Sequence, residues 1–283
     1  MLGLGNGITT GSFQESESFN VANVAGVATW LKATAGVTLD SGAVARWRDQ
    51  VGSTDWVSNQ SGNQPSTSGS GIDTHLVFDG GDRLYQKEYA WNTDDDTYDF
   101  DFSHDVFDVM NAGGSGGFTT FFVLEFPAST TVRKNIMLQE AHFQDDGTPG
   151  SGFSARTDIT GEVTLYTHGD YVHAKGHSAA SGTTAFNGST SASTEFVTGQ
   201  KLLITVEYAG GTSGAITLRV NGTNKALTNG NTATLGVITL GSLGASSTGF
   251  VGDLYELINV TSKLDLNERN KIEAYLTARH SIS

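Results

Sequence analysis

The sequence predicts an all-β sandwich closed by a single C-terminal helix, and three observations support this fold class. Short apolar runs alternate with Gly, Ser, Thr and Asn, and the 283 residues include 36 Gly but only 3 Pro, which is a turn-rich β composition. Several runs place apolar side chains at every second position, as half-buried strands do. The one convincing helical pattern comes last, within residues 250–282.

The alternation predicts where the strands lie. They are expected at residues 28–32, 44–48, 76–78, 118–126, 163–167, 201–208, 215–220, 225–228 and 250–260. In the run at 201–208 the apolar side chains point inward, and in the run at 215–220 Arg219 points outward. Asn221-Gly222 predicts a two-residue hairpin turn, because both positions tolerate positive φ.

The terminal helix has a clear start signal. Asp265 is expected to cap it, with Glu268 three residues later as the capping-box partner. Leu266, Ile272, Tyr275 and Leu276 are predicted to share one apolar face of the helix.

Composition excludes several classes of function. The chain has no Cys, which excludes disulfides and thiolate chemistry, and it is long enough to fold without a metal. The formal charge is −14 at pH 7 and no Lys/Arg stripe exists, so no nucleic-acid partner is expected. The first residues have no basic or apolar region typical of a secretory signal, and no run approaches a membrane span, so no membrane insertion is expected.

Three regions differ in character. Residues 1–20 form a Gly-rich N-terminal arm, expected either to be a disordered tail or to become ordered against a neighbouring subunit. Residues 21–283 are expected to form one domain, since there is no linker and no fixed-period repeat. Within that domain, residues 88–117 or so form an acidic loop with interleaved aromatic side chains.

A series of short motifs resembles a known superfamily. In chain order they are Thr29-Trp30-Leu31-Lys32-Ala33, Val44 to Ser53 (VARWRDQVGS), Gln64-Pro65, His75-Leu76-Val77-Phe78-Asp79-Gly80, Phe118-Thr119-Thr120-Phe121, Leu218 to Gly222 (LRVNG) and the closing strand and helix. Over about residues 24–283 this order resembles the concanavalin A-like lectin/glucanase superfamily in its laminin-G-like form. The resemblance implies a jelly-roll β-sandwich of two antiparallel sheets. It constrains function much less, because the superfamily includes lectins, glycosidases, adhesion modules and structural modules.

The opening residues MLGLGNG resemble the N-terminus of virion structural proteins of tailed marine phages. This resemblance implies a virion protein assembled in the host cytoplasm, with other virion proteins as partners and a symmetric homo-oligomer as its state. Leu2 and Leu4 of the arm, with Phe102 and Phe107 of the acidic loop, are the expected subunit contacts.

Glycosidase chemistry of the superfamily's type is not expected. It needs carboxylates at alternate positions of one strand, as in Glu-x-Asp-x-x-Glu, and the sequence has no such run. Asp253 and Glu256 stand three residues apart, which predicts opposite faces of the strand, and a lone Glu256 is expected to form local hydrogen bonds. There is no Gly-x-Ser-x-Gly elbow and no phosphate-binding glycine loop. No catalytic residue is therefore assigned.

The acidic loop offers ligand candidates of two kinds. Trp91, Tyr98 and Phe100 are candidates for stacking on sugar rings, and packing or subunit contact is the alternative for these aromatics. Asp94, Asp96 and Asp99 are candidate ligands for a hard cation such as Ca²⁺, although the segment fails as an EF-hand loop because Thr97 stands where Gly is required.

Three histidines, His168, His173 and His177, lie within ten residues. A transition-metal site is one interpretation, but their spacing fits no standard ligand set, so exposed polar side chains are favoured.

Three functions remain open, in order of preference. The first is a non-enzymatic virion structural protein, as a capsid decoration, fibre, neck or tail component that displays a lectin-like module. The second is a carbohydrate-binding module that contacts host-surface glycans, and the third is a polysaccharide-degrading enzyme. No cofactor is expected, with a structural Ca²⁺ left open.

Overall fold

The computed structural model describes residues 19–52, 55–58, 61–87, 117–126, 130–140, 162–169, 171–177, 184–189, 199–209, 214–225, 232–233, 239–243 and 250–283. Within these ranges the chain is an all-β sandwich with one C-terminal α-helix, which confirms the predicted fold class. The strands are β1 (Val27–Lys32), β2 (Val37–Asp40), β3 (Ala43–Arg48), β4 (Asp55–Val57), β5 (Ser66–Ser68), β6 (His75–Asp79), β7 (Leu84–Lys87), β8 (Phe118–Glu125), β9 (Thr130–Glu140), β10 (Glu162–Gly169), β11 (Tyr171–His177), β12 (Thr184–Ser189), β13 (Lys201–Tyr208), β14 (Gly214–Val220), β15 (Thr223–Lys225), β16 (Thr232–Ala233), β17 (Thr239–Leu243) and β18 (Val251–Val260).

The strand ladder folds into two layers. One layer runs β15-β14-β13-β8-β18, and both β1 and β6 pair with the remaining edge of β18. The other runs β2-β3-β4-β7-β17-β9-β10-β11-β12. Strand β5 pairs with both β3 and β6 and so joins the layers into one large sheet. Every pairing in the described part is antiparallel.

The main core lies between the two layers. On β13 the residues predicted to point inward are buried, and so are alternate residues of the neighbouring β8. Trp47 and Trp56 of the opposite layer belong to the same core and have no exposed surface. The inward residues are Phe118, Phe122, Leu124, Leu202, Ile204, Val206 and Tyr208. Burying one such side chain stabilises the fold by about 1.5–3 kcal/mol, so this face dominates the stability of the sandwich.

The helix α1 (Leu266–His280) packs on the outer face of the β13-β8-β18 layer and forms a second core there. Asp265 caps it as predicted, because Asp265 Oδ1 accepts the Glu268 N–H at 2.8 Å. The helix ends at Ser281 in the left-handed conformation, with φ 53° and ψ 41°. Ile272 and Leu276 are buried against the sheet.

Three local predictions need correction. Leu266 does not join the apolar face and is 65% exposed, because it lies roughly 80° or more around the helix from the other members. Arg219 points away from the main core but is only 8% exposed, because α1 covers that face of the sheet. The Asn221-Gly222 turn has φ of 48° and 73°, as a type I′ hairpin requires, and the return strand begins at Thr223 rather than at residue 225.

Candidate functional site

Six polar or aromatic side chains gather where β6, β8, β13 and β18 meet the C-terminal end of α1. They are Asp73, His75, Glu125, Lys201, Asp253 and Tyr255, and together they are called the β18 patch. Five of the six lie on strands, and Asp73 lies in the short 3-10 helix Gly71–Asp73. The patch therefore lies mainly on strands of the sheet.

A β-bulge in β18 creates this arrangement. Asp253 pairs with Glu125 and Leu254 with Leu124, but it is Glu256, not Tyr255, that pairs with Val123. Paired residues in an antiparallel sheet lie on the same face, so the extra residue places Asp253 and Glu256 on one face. The prediction that they lie on opposite faces, which assumed an unbroken period of two, is wrong.

Hydrogen bonds and ring contacts connect the patch residues. The Tyr255 hydroxyl donates to Glu125 Oε2 at 3.1 Å. Lys201 Nζ lies 2.5 Å from Asp73 Oδ1 and 4.6 Å from the centroid of the Tyr255 ring. His75 Nε2 lies 3.7 Å from Asp253 Oδ2, and its ring centroid lies 4.9 Å from that of Tyr255. Tyr255 is thus buried at the centre of the patch, and Glu125, Lys201 and His75 all contact it.

The pKa values of the patch residues are shifted in different directions. Burial raises the pKa of Asp253, and the nearby Glu125 raises it further, while His75 acts in the opposite direction. Burial and the contact with Glu125 also raise the pKa of Tyr255, so its hydroxyl stays protonated and donates. The hydrogen bond from Lys201 lowers the pKa of Asp73, whose side chain is 65% exposed. The patch therefore presents carboxylate acceptors that are only partly removed from solvent.

Glu256 is not available for chemistry. Its Oε1 accepts from Trp30 Nε1 at 2.6 Å, and its Oε2 contacts Arg279 Nε at 3.0 Å and His280 Nε2 at 2.8 Å. The residue is 1% exposed. The prediction that Glu256 serves hydrogen bonding is confirmed, but its partners are distant in sequence rather than local. They fasten the end of α1 to β1 and β18.

A second buried network fastens the middle of α1. Glu273 receives Arg219 Nε at 2.8 Å and Arg219 Nη2 at 2.9 Å, and the Thr205 hydroxyl donates to it at 2.9 Å. Arg269 Nη1 donates to the buried Glu207 at 2.9 Å. These ion pairs lie beside the second core and explain why charged residues occupy a covered face of the sheet.

Most sequence-predicted site residues lie outside the described residues. These are the sugar-stacking candidates Trp91, Tyr98 and Phe100, the cation candidates Asp94, Asp96 and Asp99, and the subunit-contact candidates Leu2, Leu4, Phe102 and Phe107. The structure neither brings them together nor separates them, and their roles stay predictions.

The histidine-rich segment forms a hairpin of β10 and β11. In it His168 pairs with Tyr171, His173 with Tyr166, and His177 with Glu162. Among the residues that the structure describes, no group of three or more His, Cys, Asp or Glu side chains is arranged to hold a metal ion.

The helix α1, the one α-helix among the described residues, has 15 residues. It does not have the length and apolar character of a membrane span.

Sequence reasoning missed the β18 patch, although one signal was available. Glu125 lies next to the last residue of one predicted strand and Lys201 begins another, and the two are direct partners across β8 and β13. Charged residues at the ends of apolar strands meet when the strands are antiparallel neighbours. The strand order was the missing information.

The chain matches no protein-family model and no curated protein. Among solved structures it is similar to Trypanosoma rangeli sialidase in complex with sialic acid, at 14% identity and a TM-score of 0.54 over 92% of this chain and 34% of that one. It is also similar to the binding domain of Paraclostridial Mosquitocidal Protein 1, at 11% identity and a TM-score of 0.52 over 89% of this chain and 52% of that one. The receptor binding domain of botulinum neurotoxin type G gives 9% identity and a TM-score of 0.50 over the same shares. The fold is a lectin-like β-sandwich.

The chain spans about a third of the sialidase chain and about half of each toxin chain that it matches. Identities this low concern the fold alone, and none of the three bears on a virion role.

Proposed function

We propose that this protein is a non-enzymatic, lectin-like module that binds glycans through the β18 patch. The observation that supports the proposal is the convergence of partly exposed carboxylates, an imidazole and an ammonium group around the buried ring of Tyr255. Sugars are bound by such sets of hydrogen-bonding groups held on a rigid scaffold. Two of the three similar structures are named as binding domains, which agrees with this proposal without testing it.

The same region offers little support for hydrolysis. A glycosidase needs one carboxyl group as acid and a second as nucleophile or base on either side of the scissile bond. Both oxygens of Glu256 are engaged by buried donors, so this residue can fill neither role. Glu125 and Asp253 remain as the carboxylates to test, and a binding protein with this patch should release no reducing ends from glycans that it retains.

A glycan array tests the proposal. The full chain should retain at least one glycan, and the His75→Ala/Asp253→Ala double variant should lose most of that signal. Asp40→Asn is the matched control, because Asp40 lies on β2 in the other layer and its loss removes one surface carboxylate without touching the patch. If the wild-type chain retains no glycan on the array, the proposal is wrong. A signal abolished only by Trp91→Ala would place the site in the acidic loop instead.

The virion context is a separate proposal. It rests on the resemblance of the first seven residues to virion structural proteins, and it makes the lectin-like module a displayed component of a phage particle with other virion proteins and copies of itself as partners. Mass spectrometry of purified particles tests it. A fixed copy number supports this context, and absence from the particles overturns it while leaving glycan binding untouched.

A further inference from the structure

The β18 patch is short of positive charge. Three carboxylates, from Asp73, Glu125 and Asp253, share it with one permanent cation, the ammonium group of Lys201. That ammonium group is already engaged, because it pairs with Asp73 at 2.5 Å and lies over the Tyr255 ring. Lys201 also stands directly opposite Glu125 across β8 and β13, but its ammonium group contacts Asp73 instead. Among the described contacts of the patch, neither Glu125 nor Asp253 therefore forms an ion pair with a permanent cation.

Glu125 and Asp253 are direct partners across β8 and β18. Directly opposed residues of an antiparallel pair have Cβ atoms about 4.5–5.5 Å apart, and like charges at such positions destabilise the sheet. His75 lies 3.7 Å from Asp253 but carries charge only when protonated. The raised pKa of Asp253 agrees with this picture of partly buried negative charge. A bound group that donates hydrogen bonds or carries positive charge would relieve the repulsion.

We infer that the β18 patch selects glycans without negative charge, and that it prefers a sugar with a protonated amine to the same sugar with the amine acetylated. This inference rests on the proposed function and names its ligand class. A carboxylated or sulfated sugar meets like charges from Glu125 and Asp253, in a chain whose formal charge is already −14. An ammonium group instead forms charge-assisted hydrogen bonds with the same oxygens. Selection thus comes from repulsion of the wrong ligand as much as from contacts with the right one.

Calorimetric titration with three tetrasaccharides tests the inference, at near-neutral pH and low salt. The probes are tetramers of glucosamine, of N-acetylglucosamine and of galacturonic acid. The glucosamine tetramer should bind the full chain most tightly, and the galacturonic acid tetramer should show no measurable binding. Asp253→Asn and Glu125→Gln keep the side-chain shape and remove one charge each, so each should weaken glucosamine binding about fivefold, the effect of one exposed charge pair. Asp40→Asn should leave the affinity unchanged.

The outcomes separate this inference from the function on which it rests. Tighter binding of galacturonic acid, or equal binding of the amino and acetylated tetramers, overturns the selectivity and leaves glycan binding standing. A glucosamine preference that survives both charge-removing variants also overturns it, because the selecting groups would then lie elsewhere. If none of the three tetramers binds and the glycan array is blank, the proposed function fails with it. Unchanged melting temperatures of the variants exclude loss of folding as the cause.

Discussion

Replacing Glu273 by Gln, or Arg219 by Met, tests whether a buried ion pair holds the C-terminal helix on the sheet. The two side chains are 8% and 9% exposed, and two N–H···O bonds of 2.8 and 2.9 Å join them. The hydrogen bond with Glu273 also raises the pKa of Arg219, so the arginine stays charged under all conditions of the experiment. Each variant leaves one charged group buried without its counter-charge.

The expected cost follows from that geometry. Removing one partner of a buried pair costs about 3–5 kcal/mol of unfolding free energy, and both side chains are buried enough for this range to apply. Glu273→Gln keeps one side-chain oxygen that can accept from Arg219, so the cost of this variant should lie near the lower end of that range. Arg219→Met leaves the Glu273 carboxylate with the Thr205 hydroxyl as its one remaining hydrogen-bond donor among the described residues, so the cost of this variant should lie near the upper end. At roughly 2–4 °C per kcal/mol for a chain of this size, the melting temperature should fall by about 6–20 °C.

Equilibrium denaturation in urea measures the unfolding free energy of each variant. A double variant completes a double-mutant cycle for the Arg219–Glu273 pair. Arg219→Met/Glu273→Leu should recover much of the loss, because an apolar pair of similar volume is often as stable as the ion pair. Asp73→Asn serves as the contrast, since its pair with Lys201 is exposed and its loss should have no measurable effect. If both single variants lose less than about 1 kcal/mol and their losses add in the double variant, this ion pair does not hold the helix on the sheet.

Three further predictions concern other parts of the fold. Trp30→Phe removes the indole N–H that donates to buried Glu256, so it should cost about 1–3 kcal/mol in urea denaturation; an unchanged midpoint would mean that the bond is replaceable. Gly252→Ala should cost about 1–3 kcal/mol, because φ is 155° and the new Cβ would lie 2.5 Å from the Glu125 carbonyl oxygen; a stable alanine variant contradicts this. Burial raises the pKa of Asp49 above its ordinary 3.8, so the folded state binds that proton more tightly, and stability should fall as pH rises through 3.8 to the raised pKa. Asp49→Asn should flatten that part of a pH series of urea midpoints, and an identical slope in the variant argues against the assignment.

The fold was predictable from local patterns. The alternation at 118–126 and 201–208 and the Asn221-Gly222 pair each determine a strand or turn by themselves, and the structure places them as expected. The Asp265 cap is likewise a signal contained within four residues. Such features depend on neighbours along the chain, so one sequence suffices to find them.

The patch was not predictable in the same way. The contact between Asp73 and Lys201 joins residues 128 positions apart, and it exists only because β6, β8, β13 and β18 are neighbours in the sheet. The bulge at Tyr255 also places Glu256 on the opposite face from the one expected, and no residue in that strand predicts a bulge there. Arg219 points outward as the alternation predicts, but the sequence does not show that α1 covers this face of the sheet. Strand order, register shifts and helix docking are thus the three quantities that a single sequence left undetermined.

A crystal structure of the protein with an array-selected oligosaccharide tests the central claim most directly. We expect the sugar against Asp253 and Glu125, near the Tyr255 ring, with a donor group of the ligand within hydrogen-bond distance of at least one of the two carboxylates. A sugar bound elsewhere, for example on Trp91 or Tyr98 of the acidic loop, would contradict binding at the β18 patch and favour the site that the sequence alone predicts.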